Sequence, residues 1–155
     1  MRTTAISILA FLISSTPALP DETLDIVIYG ATGKLGSHAV TEALERGHRV
    51  TAVSRRPEEI TGEHSNLAAV QGDLLDADSV AAIVAGKDVV IVSVRGVIGD
   101  SGNADSALQF LAAENVVDVL SRMGEAAPRL LHVGGSGSLE VEPGVLFAEK
   151  LPRIA

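Results

Sequence analysis

The sequence predicts a doubly wound α/β domain: a parallel sheet in the order 3-2-1-4-5 with helices on both faces. Three observations predict it. Short runs rich in Val and Ile alternate with segments of helical period, the first run leads through a glycine loop into a helix, and 155 residues without repeat or linker suit one domain. Strict alternation requires crossover connections, and right-handed crossovers give that strand order most simply.

The elements follow in chain order. Leu24 to Tyr29 is a short β-branched run ending at a glycine, as a buried strand does. Leu35, Ala39, Val40, Ala43 and Leu44 recur at helical spacing between Leu35 and Arg46, and Gly47 closes that helix. His48 to Ser54 predicts the second strand and Leu67 to Val70 the third. Asp76 or Asp78 caps a helix through Ala85, with Val80, Ile83 and Val84 on its apolar face. Asp88 to Val94, nearly all Val and Ile, predicts a strand covered by helices on both faces. Apolar residues from Ala104 to Met123 trace one face of a long helix, and Arg129 to Val133 is the fifth strand. A ligand is then expected beyond the carboxyl ends of strands one and four, where the strand order reverses.

Residues 1–18 read separately, as a secretory signal. Met1-Arg2 is followed by an apolar run from Ala5 to Ile13, too short to span a bilayer, and Thr16 and Ala18 suit the −3 and −1 positions of a cleavage site. This predicts export to the periplasm or medium and no stable membrane span, with a cytoplasmic protein carrying an N-terminal extension as the alternative. Residues 24–155 then form the single folded domain.

Composition removes several function classes. Twelve basic against 20 acidic side chains give a net charge of −8, so a nucleic-acid partner is not expected. One tyrosine, three phenylalanines and no tryptophan offer no base-stacking platform. The absence of cysteine excludes disulfides, thiolate catalysis and cysteine zinc sites. His38, His48, His64 and His132 lack metal-ligand spacing, so no metal site is expected. His38 suits a surface position, and His132 suits packing within its strand.

The chemistry concentrates in Gly30-Ala31-Thr32-Gly33-Lys34-Leu35-Gly36, between the first strand and its helix. Gly30 permits the tight turn, Gly33 lets backbone approach a pyrophosphate, and Gly36 lets the helix pack on the strand. Backbone N–H groups from Thr32 to Leu35, at the positive end of the helix dipole, can hold a diphosphate despite the acidic net charge. After the second strand, where an NAD site usually carries Asp or Glu, the chain has Ser54-Arg55-Arg56. Guanidinium suits a 2′-phosphate, so NADP(H) is expected over NAD(H), with Arg55 as the principal contact.

Gly30 to Gly36 with GxxGxxG spacing, Ser54-Arg55-Arg56-Pro57, Gly72-Asp73-Leu74-Leu75-Asp76 and Val133-Gly134-Gly135-Ser136-Gly137-Ser138-Leu139 together resemble a known group. It is the atypical short-chain dehydrogenases, Rossmann proteins, and within them the NAD(P)H-binding proteins of NmrA-like and flavin-reductase-like type. The resemblance covers about Asp25 to Phe147. It implies that Asp73 and Leu74 flank the adenine, that Ser93, Val94 and Arg95 line the ribose and nicotinamide side, and that Gly134 to Ser136 approach the nicotinamide. Read from its residue type alone, Asp73 equally suits a turn, and Ser136 and Ser138 a Gly/Ser loop. The resemblance implies hydride transfer from NADPH to a small acceptor such as a flavin or quinone, or a non-catalytic dinucleotide sensor.

Two departures qualify it. Most short-chain dehydrogenases use a Tyr-x-x-x-Lys pair in which lysine lowers the tyrosine pKa. Here the one tyrosine, Tyr29, lies in the first strand, so packing in the core or beside the cofactor is expected and no catalytic residue is assigned. Family members also continue into a portion covering the substrate side, whereas this sequence stops at Leu151-Pro152-Arg153-Ile154-Ala155. The expectation is a chain lacking that cover: a fragment without function of its own, or one completed by a partner of unknown kind.

Overall fold

The computed structural model describes residues 22–94, 108–134, 140–143 and 145–146. The signal-like segment, the loop from Gly96 to Gly102, the start of the long helix at Ala104, and Arg95, Ser136 and Ser138 lie outside them. Five parallel strands form one sheet in the order β3-β2-β1-β4-β5, as expected. They are β1 (Asp25–Tyr29), β2 (Arg49–Ser54), β3 (Leu67–Gln71), β4 (Val89–Val92) and β5 (Arg129–His132). Helix α1 (Lys34–Glu45) follows β1, α2 (Ala77–Val84) follows β3, and α3 (Leu108–Met123) precedes β5.

Side-chain alternation on β1 divides the apolar residues between two faces. Ile26 and Ile28 pack with Val50 and Ala52 of β2 under Val40 and Ala43 of α1. Val27 and Tyr29 pack with Val53, Val90 and Val92 beneath Val80 and Val84 of α2 and Ala112, Val116, Val119 and Leu120 of α3. Burying each such aliphatic side chain contributes about 1.5–3 kcal/mol before chain entropy is set against it. Asp76, not Asp78, caps α2: its side chain accepts hydrogen bonds from the N–H groups of Asp78 and Ser79.

The structure departs from the sequence reading in four places. Coverage of β4 is uneven. Val90 and Val92 are buried under α2 and α3, whereas Val89 and Ile91 are only partly buried, packed against the cluster beneath α1. Leu131, beside Ile91 in register on β5, is 46% exposed there. His132 is exposed, not packed, since β5 is the edge strand. The strand β4 ends at Val92, two residues short of the predicted Val94. Finally, β6 (Glu140–Glu142) and β7 (Val145–Leu146) form a small antiparallel sheet that so short a polar and apolar stretch did not signal.

The amino edge of the sheet is tied by charge. Arg49 donates through Nε and Nη2 to the two carboxylate oxygens of Asp25, at 2.8 and 2.6 Å, and the Asp25 N–H donates to Asp88 Oδ2 at 2.7 Å. The Arg49 hydrogen bonds, aided by its charge, hold the Asp25 carboxyl below its ordinary value. A carboxyl depressed in the folded state contributes stability above the unfolded value of 3.8, and that contribution disappears as pH falls through the lower folded value. It is small because both side chains meet solvent. In urea titrations across the acid range, Asp25→Asn is therefore expected to lose less stability on acidification below about pH 4 than the parent. Equal losses count against the pair's role.

Candidate functional site

The site is built at the carboxyl end of β1. Gly30 turns the chain with φ +78, a conformation that favours glycine, and a Cβ there would lie 2.3 Å from the Ser93 carbonyl oxygen. At Gly36 a Cβ would lie 2.0 Å from the Gly30 carbonyl oxygen, so α1 and the end of β1 approach to a distance that no side chain fits. Gly33 differs: its Cβ would meet Gly30 O at 3.1 Å, a tight contact in the absence of ligand, and its exposed backbone faces the cavity. The Gly33 N–H donates to Gly30 O at 2.9 Å, and the Gly33 carbonyl accepts the first bond of α1, from Ser37, at 2.8 Å. Gly33 caps α1 without a side-chain hydrogen bond and the first turn carries no acidic residue, so its leading N–H groups are offered to an anion.

A cavity of about 250 Å³ opens beside this loop. Among its walls are Gly30, Thr32 and Gly33 from the loop, Arg55 and Arg56 after β2, Asp73 and Leu74 after β3, and Ser93 and Val94 after β4. Ser93 remains tied to β1, its N–H donating to the Tyr29 carbonyl at 3.0 Å, so the last pair carries the line of β4 to the carboxyl edge where the cavity opens. Of the other residues expected in the site, Lys34 and Leu35 are exposed outside the cavity wall, Gly36 is buried behind the loop, and Gly134 is exposed with open space around it. Lys34, Leu35 and Gly36 can act through their backbone; Gly134 is not brought to the described cavity.

The walls are held by local bonds. Gln71 Nε2 donates to the Arg55 carbonyl at 3.3 Å, and the Arg56 N–H donates to Ser54 Oγ at 3.1 Å. Asp73 serves as a turn residue: its Oδ1 accepts from the Leu75 N–H at 2.9 Å. Asn115 of α3 donates to the Leu74 carbonyl at 2.7 Å, tying the loop after β3 to the opposite layer. Sequence reading missed Asn115, which looks like any polar residue on a helix, and it missed Glu59, Gly72 and Ala112 in the wall. Gly72 alone carried a usable signal, since it opens the Gly-Asp turn; a Cβ there would lie 2.6 Å from Ile83 Cδ1 and 2.7 Å from Val53 Cγ1.

Tyr29 lines the same cavity, at its buried base. Burial pushes its phenol well above the ordinary value, so it stays protonated and cannot serve as a base. Its hydroxyl has no hydrogen-bond partner among the described residues, a cost of about 1–3 kcal/mol that a less specialised position would avoid. Both sequence readings of this residue are met, since it packs in the core and adjoins the site. Among the described residues no group of His, Asp and Glu is arranged to hold a metal ion, and no helix is long and apolar enough to cross a membrane.

A glycine turn at the switch point of a parallel sheet, a helix N-terminus and a cavity with guanidinium in its wall define a dinucleotide-binding Rossmann domain. The chain belongs to the NAD(P)H-binding family, which it matches over residues 30–152, and through it to the atypical short-chain dehydrogenase group. It is 28% identical over 124 residues to a 3-beta-hydroxysteroid dehydrogenase of Mycolicibacterium neoaurum, covering 80% of this chain and 32% of that one. A candidate epimerase from Bacteroides thetaiotaomicron superimposes with TM-score 0.70 at 32% identity, covering 84% of this chain and 57% of the other. A candidate exported protein from Burkholderia pseudomallei gives TM-score 0.64 at 36% identity, covering 84% and 58%. The chain thus spans about a third of that curated relative and somewhat over half of the two solved structures.

Because the contact between Gly36 and Gly30 is backbone against backbone, Gly36→Ala is expected to cost about 1–3 kcal/mol in urea unfolding, the usual scale of overpacking. An unchanged midpoint would show that the loop yields freely.

Proposed function

We propose that this chain is the cofactor-binding unit of an exported oxidoreductase that prefers NADP(H) and passes hydride to a small acceptor such as a flavin or quinone. The observation that carries the preference is Arg55. It lies in the cavity wall and makes no ion pair among the described residues, so its guanidinium is available for a 2′-phosphate. Bound there, the nicotinamide supplies the hydride. The chain's own residues bind and orient: the first turn of α1 and Gly33 take the diphosphate, Asp73 and Leu74 border the adenine, and Ser93 and Val94 lead toward the nicotinamide. Relation to NmrA-like and flavin-reductase-like proteins belongs to the same proposal.

Export rests on the Met1–Ala18 pattern and on the likeness to the Burkholderia pseudomallei protein described as exported. A second reading, dinucleotide binding without turnover, has one observation in its favour: the chain's single tyrosine is buried and held protonated, unlike a catalytic phenol. The two readings differ in stopped-flow experiments with free flavin or quinone, where turnover of NADPH marks the oxidoreductase and binding without turnover the sensor.

NADPH is expected to bind more tightly than NADH in calorimetric titrations, and Arg55→Ala is expected to weaken NADPH by about tenfold with little effect on NADH, the scale of one charge-assisted contact. NADH preference in the parent would overturn the assignment of Arg55, and no binding of either would overturn the cofactor reading. Mass spectrometry of protein from its native host is expected to find an N-terminus just after Ala18; an intact Met1 rejects export.

A further inference from the structure

The two arginines in the cavity wall are not equivalent. Pro57 to Glu59 forms a single 3-10 turn directly after Arg56, closed by the Glu59 N–H donating to the Arg56 carbonyl at 3.1 Å. Proline at the start of that turn presets its backbone. The turn carries the Glu59 side chain back over the arginine it follows, and Arg56 Nη1 meets Glu59 Oε1 at 2.5 Å. Glu59 itself lines the cavity with Arg55, Arg56, Ser54 and Asp73. A carboxylate therefore stands on the same wall as the cations that would receive a 2′-phosphate.

We propose that Glu59 tempers the cofactor preference of this site by occupying Arg56, so that one guanidinium and not two is free to receive a 2′-phosphate, while a 2′-hydroxyl is unaffected. This rests on the dinucleotide reading given above and goes beyond it. Arg55 alone then receives the phosphate, and preference for NADP(H) falls short of what two free guanidinium groups would give. The Arg56–Glu59 pair is weak enough to exchange, because the two side chains are 70% and 38% exposed and solvent screens them. It still biases the choice, because a phosphate must either share Arg56 with a carboxylate or leave it paired. A neutral glutamine keeps the size of Glu59 and removes the charge, releasing Arg56 to the ligand.

The test is a set of calorimetric titrations with NADPH and NADH on the parent, Glu59→Gln, Arg56→Ala and the double variant. Glu59→Gln is expected to tighten NADPH by about 3–10-fold, the scale of one partly screened charge interaction, and to leave NADH within about twofold. The gain is expected to shrink to below about twofold when Arg56 is also alanine, and to fall as salt is raised. An unchanged NADPH-to-NADH ratio in Glu59→Gln overturns the proposal, as does a gain of the same size without Arg56. If the parent binds neither dinucleotide, the cofactor reading falls and this inference with it; if the parent binds NADPH and the ratio ignores Glu59, only the inference falls.

Discussion

The close approach of the Gly30 carbonyl to the start of α1 is the constraint on which the rest depends. A helix packed so near the end of β1 aims its leading N–H groups at the crevice, and that distance exists only because Gly36 has no side chain. Gly30 serves a second contact at once, against the Ser93 carbonyl at the end of β4. One turn thus fixes the relation of β1, α1 and β4, the three elements that bracket the switch point. The sheet order would survive a looser loop, whereas the anion-binding geometry would not.

Electrostatics at this site are local and run against the molecule's overall charge. With a net charge of −8, the chain repels phosphate at long range, and only a helix terminus and two guanidinium groups invite it. Even these are contested, for Arg56 is paired with Glu59 while Arg55 is not. In the proposed cofactor reading, selectivity among dinucleotides rests on these few groups. Such a site remains sensitive to single substitutions, because no surrounding field compensates for a lost contact.

Among the described residues, the two faces of the sheet are covered to different degrees. Beneath α2 and α3 the core is continuous from Val27 to Leu120, and it carries the site's base through Tyr29 and Leu74. Asn115 joins that layer to the loop after β3, so that wall of the cavity is braced by a helix distant in sequence. On the opposite face α1 covers β1 and β2 but leaves Ile91 half-buried and Leu131 exposed.

Much of this was legible in the residues. The Val and Ile runs, helical spacing and closing glycines placed the eight main elements to within a few residues wherever their ends lie among the described residues, because burial on two faces leaves a strong pattern. The glycine spacing located the turn, and Ser54-Arg55-Arg56 marked the end of β2. Short polar elements were not legible: β6 and β7 carry too few residues for periodicity to register, and Asp73 alone could not declare itself a turn residue. What the sequence by itself determined was the order of elements and the position of the glycine turn, since both follow from local pattern. Only the tertiary structure decided which groups share a wall. The Asn115 bond to Leu74 and the unsatisfied Tyr29 hydroxyl depend on distances between segments, which no local pattern encodes, and so does the place of the local Arg56–Glu59 pair on the cavity wall.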